Sequence, residues 1–308
     1  MDLKQLEYIV KIEEEGSITH AAEKLFITQS ALNQQLLKLE KELGVPLFTR
    51  SRSSCVPTES GLIYLESARQ ILAIKRDTYN RIYDLAEQKK GIISVGFTPI
   101  RGTILFADVY PRFHREYPEI EIRPQELSVV KQEERLADGR LDLGFVTLQD
   151  KLKKPSLSYI NLGTEEVFLA LPANHPLAGD AEHTMPFSEF DLGLLKDEPF
   201  VVMQRGSTKR ALVDPLFVEA GFKPNILFET TGTDTLLSMV RSEICCGFIP
   251  SFYISPAEDK IAYFSLPQHP SWDFCACMNK HAYKSRAIRT LIRLVTETSN
   301  RFSGMAAG

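Results

Sequence analysis

Only three residues, Phe26-Ile27-Thr28, separate two helical patterns near the N-terminus. A link that short forces a tight turn, so the two helices must cross over one small core; this is helix-turn-helix spacing. Upstream, Ser17 or Thr19 can cap a helix whose inner face uses Ala21, Ala22 and Leu25. A first helix precedes it, with Leu3, Leu6, Ile9 (or Val10) and Ile12 inward and its end near Gly16. Downstream, Thr28 caps a third helix in which Leu32, Leu36, Leu39 and Leu43 recur at steps of four, three and four, forming one apolar stripe.

The outer face of that third helix is neutral. Counting roughly 100° per residue from Gln29, Asn33 falls near 40°, Ser30 near 100° and Gln34 near 140°. Amides carry a donor and an acceptor on one planar group, which matches base edges in the major groove, notably adenine. Lys38 and Lys41 lie further along, within reach of phosphate. After Gly44, Val45, Leu47 and Phe48 tuck into the core. Arg50 and Arg52 flank a serine-rich tip and Cys55-Val56-Pro57 returns, a wing suited to flanking backbone or minor groove. A merely solvated polar face explains the helix alone equally well; the turn and wing favour the DNA-reading face of Thr28, Gln29, Ser30, Asn33, Gln34, Lys38, Arg50 and Arg52.

Thr58 opens a helix that continues to about residue 88. Leu65, Leu72, Tyr79 and Ala86 fall at sevens, with Ala68, Lys75 and Ile82 interleaved. One helix cannot bury such a seam on itself, so a second copy of the chain is expected against it. Gln88-Lys89-Lys90-Gly91 reads as a polar hinge. Beyond it, strands at 92–97, 120–126, 141–146, 166–171, 245–249 and 273–278 alternate with helices at 104–116, 130–138, 233–241 and 285–299. Alternation of this kind predicts parallel, helix-covered sheets in two α/β lobes.

The chain has 308 residues, 44% of them hydrophobic, and a net charge of −4. No apolar run approaches the ~20 residues needed to span a bilayer, and acids occupy the place of a signal peptide's apolar stretch, so a cytoplasmic protein is expected. Five cysteines at irregular spacing fit a reducing compartment and core packing; redox sensing stays open. GxSxG, GxGxxG and HExxH are absent, and the six histidines are scattered, so neither enzyme chemistry nor a metal or cofactor is expected.

The segment LKQLEYIVKIEEEGSITHAAEKLFITQSALNQQLLKLEKELGVPLFTR closely resembles the N-terminal domain of LysR-type transcriptional regulators. Ala21-Ala22, Thr28-Gln29-x-Ala31-Leu32 and Leu39-Glu40-x-x-Leu43-Gly44-x-x-Leu47-Phe48 carry the likeness. Ala173-Asn-His-Pro-Leu-Ala178, Leu141-Asp-Leu-Gly-Phe145 and VRSEICCGFIP (240–250) extend it over nearly the whole chain. Asn33-Gln34-Gln35 departs from the family's commoner Ser-Arg pattern, and Glu243 and Cys245 stand where small residues are common.

The resemblance implies a winged helix-turn-helix (1–58), a linker and dimerisation helix with hinge (59–90), and an effector domain (91–303) resembling type 2 periplasmic binding proteins. Lobe I would take 91–163 and 267–303, and lobe II 164–266. It implies a regulator of transcription that binds double-stranded DNA as a homodimer or homotetramer, meets RNA polymerase and answers to a small, anionic metabolite. A solute receptor without a DNA role is the alternative. Ligands of open α/β sheets bind beyond the carboxyl ends of the strands. This nominates Thr98, Pro99, Arg101, Gly102 and Thr103 after the first strand, Ser128 and Thr147 after the next two, and Gln204 and Thr233 from the other lobe, with Arg101 supplying charge.

Overall fold

The computed structural model describes residues 2–50, 54–99, 101–179, 186–255 and 257–306. The chain falls into two compact units, Met1–Gln88 with Ala137–Arg140, and Lys89–Leu136 with Leu141–Gly308.

In the first unit, α1 (Leu3–Glu15) starts on a capping box between Asp2 and Gln5 and stops at Gly16, whose φ of 60° ends the helix. Ser17 caps α2 (Ile18–Lys24) and Thr28 caps α3 (Gln29–Leu43). The turn between them places Phe26 at φ 56°, with the residue 96% exposed. β1 (Phe48–Arg50) and β2 (Cys55–Pro57) form the antiparallel wing, and α4 (Glu59–Leu85) follows. Ile9, Ile12, Ala21, Ala22, Leu32, Leu36, Leu39, Leu47, Phe48 and Leu65 make one core. Burying each large side chain there contributes about 1.5–3 kcal/mol. Leu3 and Leu43, at the outer ends of their helices, stay largely exposed. Gly61 is required: a Cβ on it would lie 2.0 Å from the Leu47 carbonyl oxygen, so only glycine lets α4 pass the start of the wing.

The heptad expected of α4 is partly used inside the unit. Leu65 and Ala68 are buried in it, and Lys75 pairs with Glu7 of α1 at 2.7 Å, which explains a charge in an apolar register. The apolar residues left facing outward are Leu62, Ile63, Ile74, Tyr79, Ile82 and Leu85. Ile63, Ile74 and Leu85 stand eleven residues apart and form a different stripe from the one the sevens suggested.

The second unit runs β3 (Lys90–Phe97), α5 (Arg101–Glu116), β4 (Glu119–Glu126), α6 (Val129–Ala137), β5 (Leu143–Leu148), β6 (Leu157–Pro172), β7 (Pro199–Met203), α7 (Thr208–Glu219), β8 (Asn225–Thr230), α8 (Thr233–Arg241), β9 (Gly247–Pro250), β10 (Ile261–Phe264), β11 (Ser271–Asn279) and α9 (Arg286–Ala306). The expected all-parallel pairing holds for β3, β4 and β5 and for β7 with β8. It fails for β6, β9, β10 and β11, which pair antiparallel. The reason is β6, a 16-residue strand whose two halves belong to the two lobes, with Leu162 bulged out of register against β11. β11 returns beside it, so the two strands link the lobes without a crossover helix.

Each lobe has its own core. Phe97, Phe113, Phe145 and Leu291 centre one, between the sheet, α5 and α9. In the other lobe, neighbouring residues divide between two cores: Phe200, Phe248 and Cys246 face one, and Val201, Ile249 and Cys245 the other. Glu243, where the resemblance led us to expect a small residue, sits at φ 62° and accepts from Asn174 Nδ2 at 2.6 Å. A left-handed backbone is the physical reason a glycine suits that place.

Candidate functional site

On α3, Leu32, Leu36 and Leu39 bury one face, which leaves Thr28, Gln29, Ser30, Gln34 and Lys38 exposed and Asn33 partly so. The Thr28 hydroxyl is occupied as a cap, accepting the Ala31 N–H at 3.2 Å. Arg50 differs from expectation. Its Nη2 donates to Glu40 Oε2 at 2.7 Å and its Nη1 to Asn33 Oδ1 at 2.9 Å, so it is tied back onto α3 instead of projecting toward flanking phosphates. Glu40 holds it there because its other oxygen accepts the N–H groups of Leu47 and Phe48, fixing the wing to the helix. Arg52 lies outside the described residues.

The second unit contains a cavity of about 590 Å³. Thr98, Pro99, Arg101, Ser128, Thr147, Gln204 and Thr233 all line it. Gly102 and Thr103 do not. Gly102 is packed so tightly that a Cβ would lie 2.7 Å from that of Phe97, and Thr103 lies on the exposed side of α5. A helix turns 100° per residue, so the first turn of α5 cannot present three consecutive residues to one wall.

Arg101 lines the wall but is not a free cation. It is 2% exposed, its Nη2 lies 2.6 Å from Glu165 Oε2, and its guanidinium is held between the rings of Phe252 and Phe274 at 4.1 and 4.3 Å. Trp272 Nε1 donates to the same Glu165 oxygen at 3.1 Å. Arg101 Nη1 and Glu165 Oε1 are buried without a hydrogen-bond partner among the described residues. The buried cation without a carboxylate partner among the described residues is Lys209, in the first turn of α7, which the sequence does not single out. Its amine hydrogen-bonds the Thr233 hydroxyl and lies 4.9 Å from the Tyr253 ring centroid. Burial pushes its pKa down to about 7, helped by the Arg101 charge and opposed by Glu165 and Asp234. Only the run Ser207-Thr208-Lys209 at a helix start signalled it.

All five cysteines are free and buried. Burial lifts the thiols of Cys246 and Cys277 to about 12 and those of Cys245 and Cys275 to about 11, far from the reactive range. Among the described residues no group of His, Cys, Asp and Glu could hold a metal ion, and no helix is long and apolar enough to cross a membrane.

Residues 3–62 match the bacterial regulatory helix-turn-helix protein, LysR family, and residues 86–300 match the LysR substrate binding domain. The chain belongs to the LysR-type transcriptional regulators. It is 30% identical to the uncharacterized HTH-type transcriptional regulator YcgK of Bacillus subtilis over 97% of this chain and 95% of that one. It is also 28% identical to the Hca operon transcriptional activator HcaR of Escherichia coli, over 82% of each. Among solved structures, a full-length OxyR variant from Pseudomonas aeruginosa superposes with a TM-score of 0.74 at 25% identity, covering 96% of this chain and 94% of that one. CbnR complexed with its target DNA shares the fold, with a TM-score of 0.63 at 21% identity over 97% and 100% of the two chains. This LysR-type chain is thus a DNA-binding regulator of transcription with an effector-binding domain.

Proposed function

We propose that this regulator binds a small, anionic metabolite in the cavity between the two lobes of its effector domain, and that ligand binding alters how its recognition helices engage DNA. One observation carries the reading: the N-terminal ends of α5, α6, α7 and α8 all contribute to the wall of that one cavity. Helix N-termini carry partial positive charge and free N–H groups, and four of them converging favour an anion. Thr98, Ser128, Thr147 and Thr233 add hydroxyl donors around it. Lobe closure on the ligand shifts a population of conformers, since only a difference in affinity between open and closed forms can drive the change.

On the DNA side, Gln29, Ser30, Asn33 and Gln34 read bases, and Thr28 and Lys38 reach the backbone. Two or four copies act together through the outward stripe of α4, because the few basic residues near α3 give modest affinity singly. Contact with RNA polymerase follows from the altered DNA path.

A gel-shift assay with Asn33→Ala and Gln34→Ala tests the reading face: operator discrimination is expected to fall while low-salt affinity persists, and unchanged discrimination in both removes the assignment. A thermal-shift screen of small carboxylates and aromatics tests the cavity. Shifts abolished by Thr98→Ala and Thr233→Ala support it, and shifts indifferent to both remove it.

A further inference from the structure

We infer that the Lys209 amine is the anion seat of this cavity, and that a carboxylate ligand binds there with net uptake of protons, so that occupancy rises as the pH falls. This rests on the cavity being the effector site and names the group that recognises the effector's charge.

Among the described residues, four cations line the wall: Arg101, Lys131, Arg205 and Lys209. Arg101 is spent on Glu165, at 2.6 Å in a buried pair. Arg205 pairs with Glu229 and is 81% exposed, so it stands in solvent. Lys209 has neutral partners only, the Thr233 hydroxyl and the Tyr253 ring, and among the described residues no carboxylate lies within ion-pair distance of it. It also stands beside the start of α8, where Gly232 provides no side-chain cap. An incoming carboxylate therefore meets one buried amine that has no carboxylate partner among the described residues, Lys131 being exposed to solvent.

The groups that act on Lys209 come from each element packed against it. Arg101 of α5 repels its proton, Glu165 of β6 and Asp234 of α8 attract it, and Tyr253 offers its ring face. Burial dominates and leaves the amine near half-protonated at neutral pH, with a pKa of about 7. A carboxylate at Nζ replaces the missing counter-charge and restores the ammonium; the proton is taken from water or buffer, and no bond of the ligand breaks. Ordinary carboxylates, with pKa values near ~4, stay ionised above pH 6 and do not contribute to the dependence.

Isothermal titration of the full chain with matched pairs tests this: benzoate and benzamide, hexanoate and hexanamide. At least one acid should bind in preference to its amide, with affinity about tenfold higher at pH 6 than at pH 8. Lys209→Met should lose the preference for acid over amide. Lys209→Arg should keep the preference and lose the pH dependence, because guanidinium does not titrate there. An acid whose binding ignores pH in the unsubstituted protein overturns the inference, as does an acid preference that survives in Lys209→Met. Amides that bind as well as acids overturn it alone and leave the cavity reading standing. Silence from every acid and every amide overturns both.

Discussion

Two arginines nominated as ligands, one for DNA and one for the effector, are both held by a glutamate, in opposite surroundings. Arg50 and Glu40 sit at the surface of the winged unit, with side chains 32% and 12% exposed. Arg101 and Glu165 lie between aromatic rings in the effector unit, 2% and 4% exposed. At the surface, water competes for both charges and the pair is worth little. In the interior, the desolvation cost is large and the pair is tolerated only while both members are present. A cation read from sequence is a candidate ligand only if no carboxylate reaches it first. Lys209, which none reaches among the described residues, is the candidate for that role in the cavity.

The largest expected effect lies in the buried pair. Glu165→Ala leaves the Arg101 charge and the Trp272 N–H without an acceptor, and is expected to cost about 3–5 kcal/mol. Urea unfolding followed by fluorescence reports on this spot, because Trp272 is the single tryptophan. Arg101→Met combined with Glu165→Met is expected to recover most of the loss, since two orphaned polar atoms disappear with the charges. A double variant no better than the single would mean that the pair contributes more than mutual neutralisation.

The winged helix-turn-helix was legible because its determinants are local. Ser17 and Thr28 cap within three residues, the leucine stripe repeats within one helix, and Gly16 and Gly44 stop their helices at φ 60° and 75°. What escaped reading depends on distant partners. Glu165 is 64 positions from Arg101, and Glu7 is 68 from Lys75. The first half of β6 was missed because Asn161-Leu162-Gly163 breaks the alternation where the strand bulges between lobes. The cavity wall was read from strand ends, a rule of topology, and so it gathered Thr98, Ser128 and Thr147 yet could not tell which way Gly102 and Thr103 face. Lys209 was missed because a lysine in a helix's first turn ordinarily points to water.

Next in size is Glu40→Ala. It releases Arg50 and leaves two backbone N–H groups at the wing without their acceptor, for an expected loss of about 1–3 kcal/mol in thermal or urea unfolding. Glu40→Gln keeps an acceptor and should cost less; equal losses would mean that the charge on Arg50, not the wing's backbone, is what Glu40 serves.

Lys209→Met is expected to stabilise, by about 1–2 kcal/mol at pH 6 once the lost hydrogen bond to Thr233 is set against the removed buried charge. The sign follows from the direction of the shift. The folded value, about 7, lies below the unfolded one, so below pH 7 both states are protonated and the folded state bears the full cost of the buried charge. Between pH 7 and roughly pH 10 the unfolded chain holds more protons, and stability rises with pH. The gain from Lys209→Met should therefore be greatest at pH 6 and shrink by pH 9. A gain constant across that range would show that packing, and not charge, sets it.

The smallest effect on folding belongs to Arg50→Ala, within about 1 kcal/mol, yet it bears on what α3 can read. Guanidinium only donates, so the atom it holds on Asn33 must be the amide oxygen, at 2.9 Å. That occupies one of the oxygen's two lone pairs and fixes the amide's orientation, which weakens the bidentate match to adenine expected from the residue type and leaves both amide N–H groups for the acceptors of guanine or thymine. Selection from randomised duplexes should therefore show guanine or thymine at the position Asn33 faces in the unsubstituted protein. Arg50→Ala frees the oxygen, and adenine should enter at that position. An unchanged preference after Arg50→Ala would show that DNA itself breaks the tether, and that the surface pair, unlike the buried one, has no hold over the site it touches.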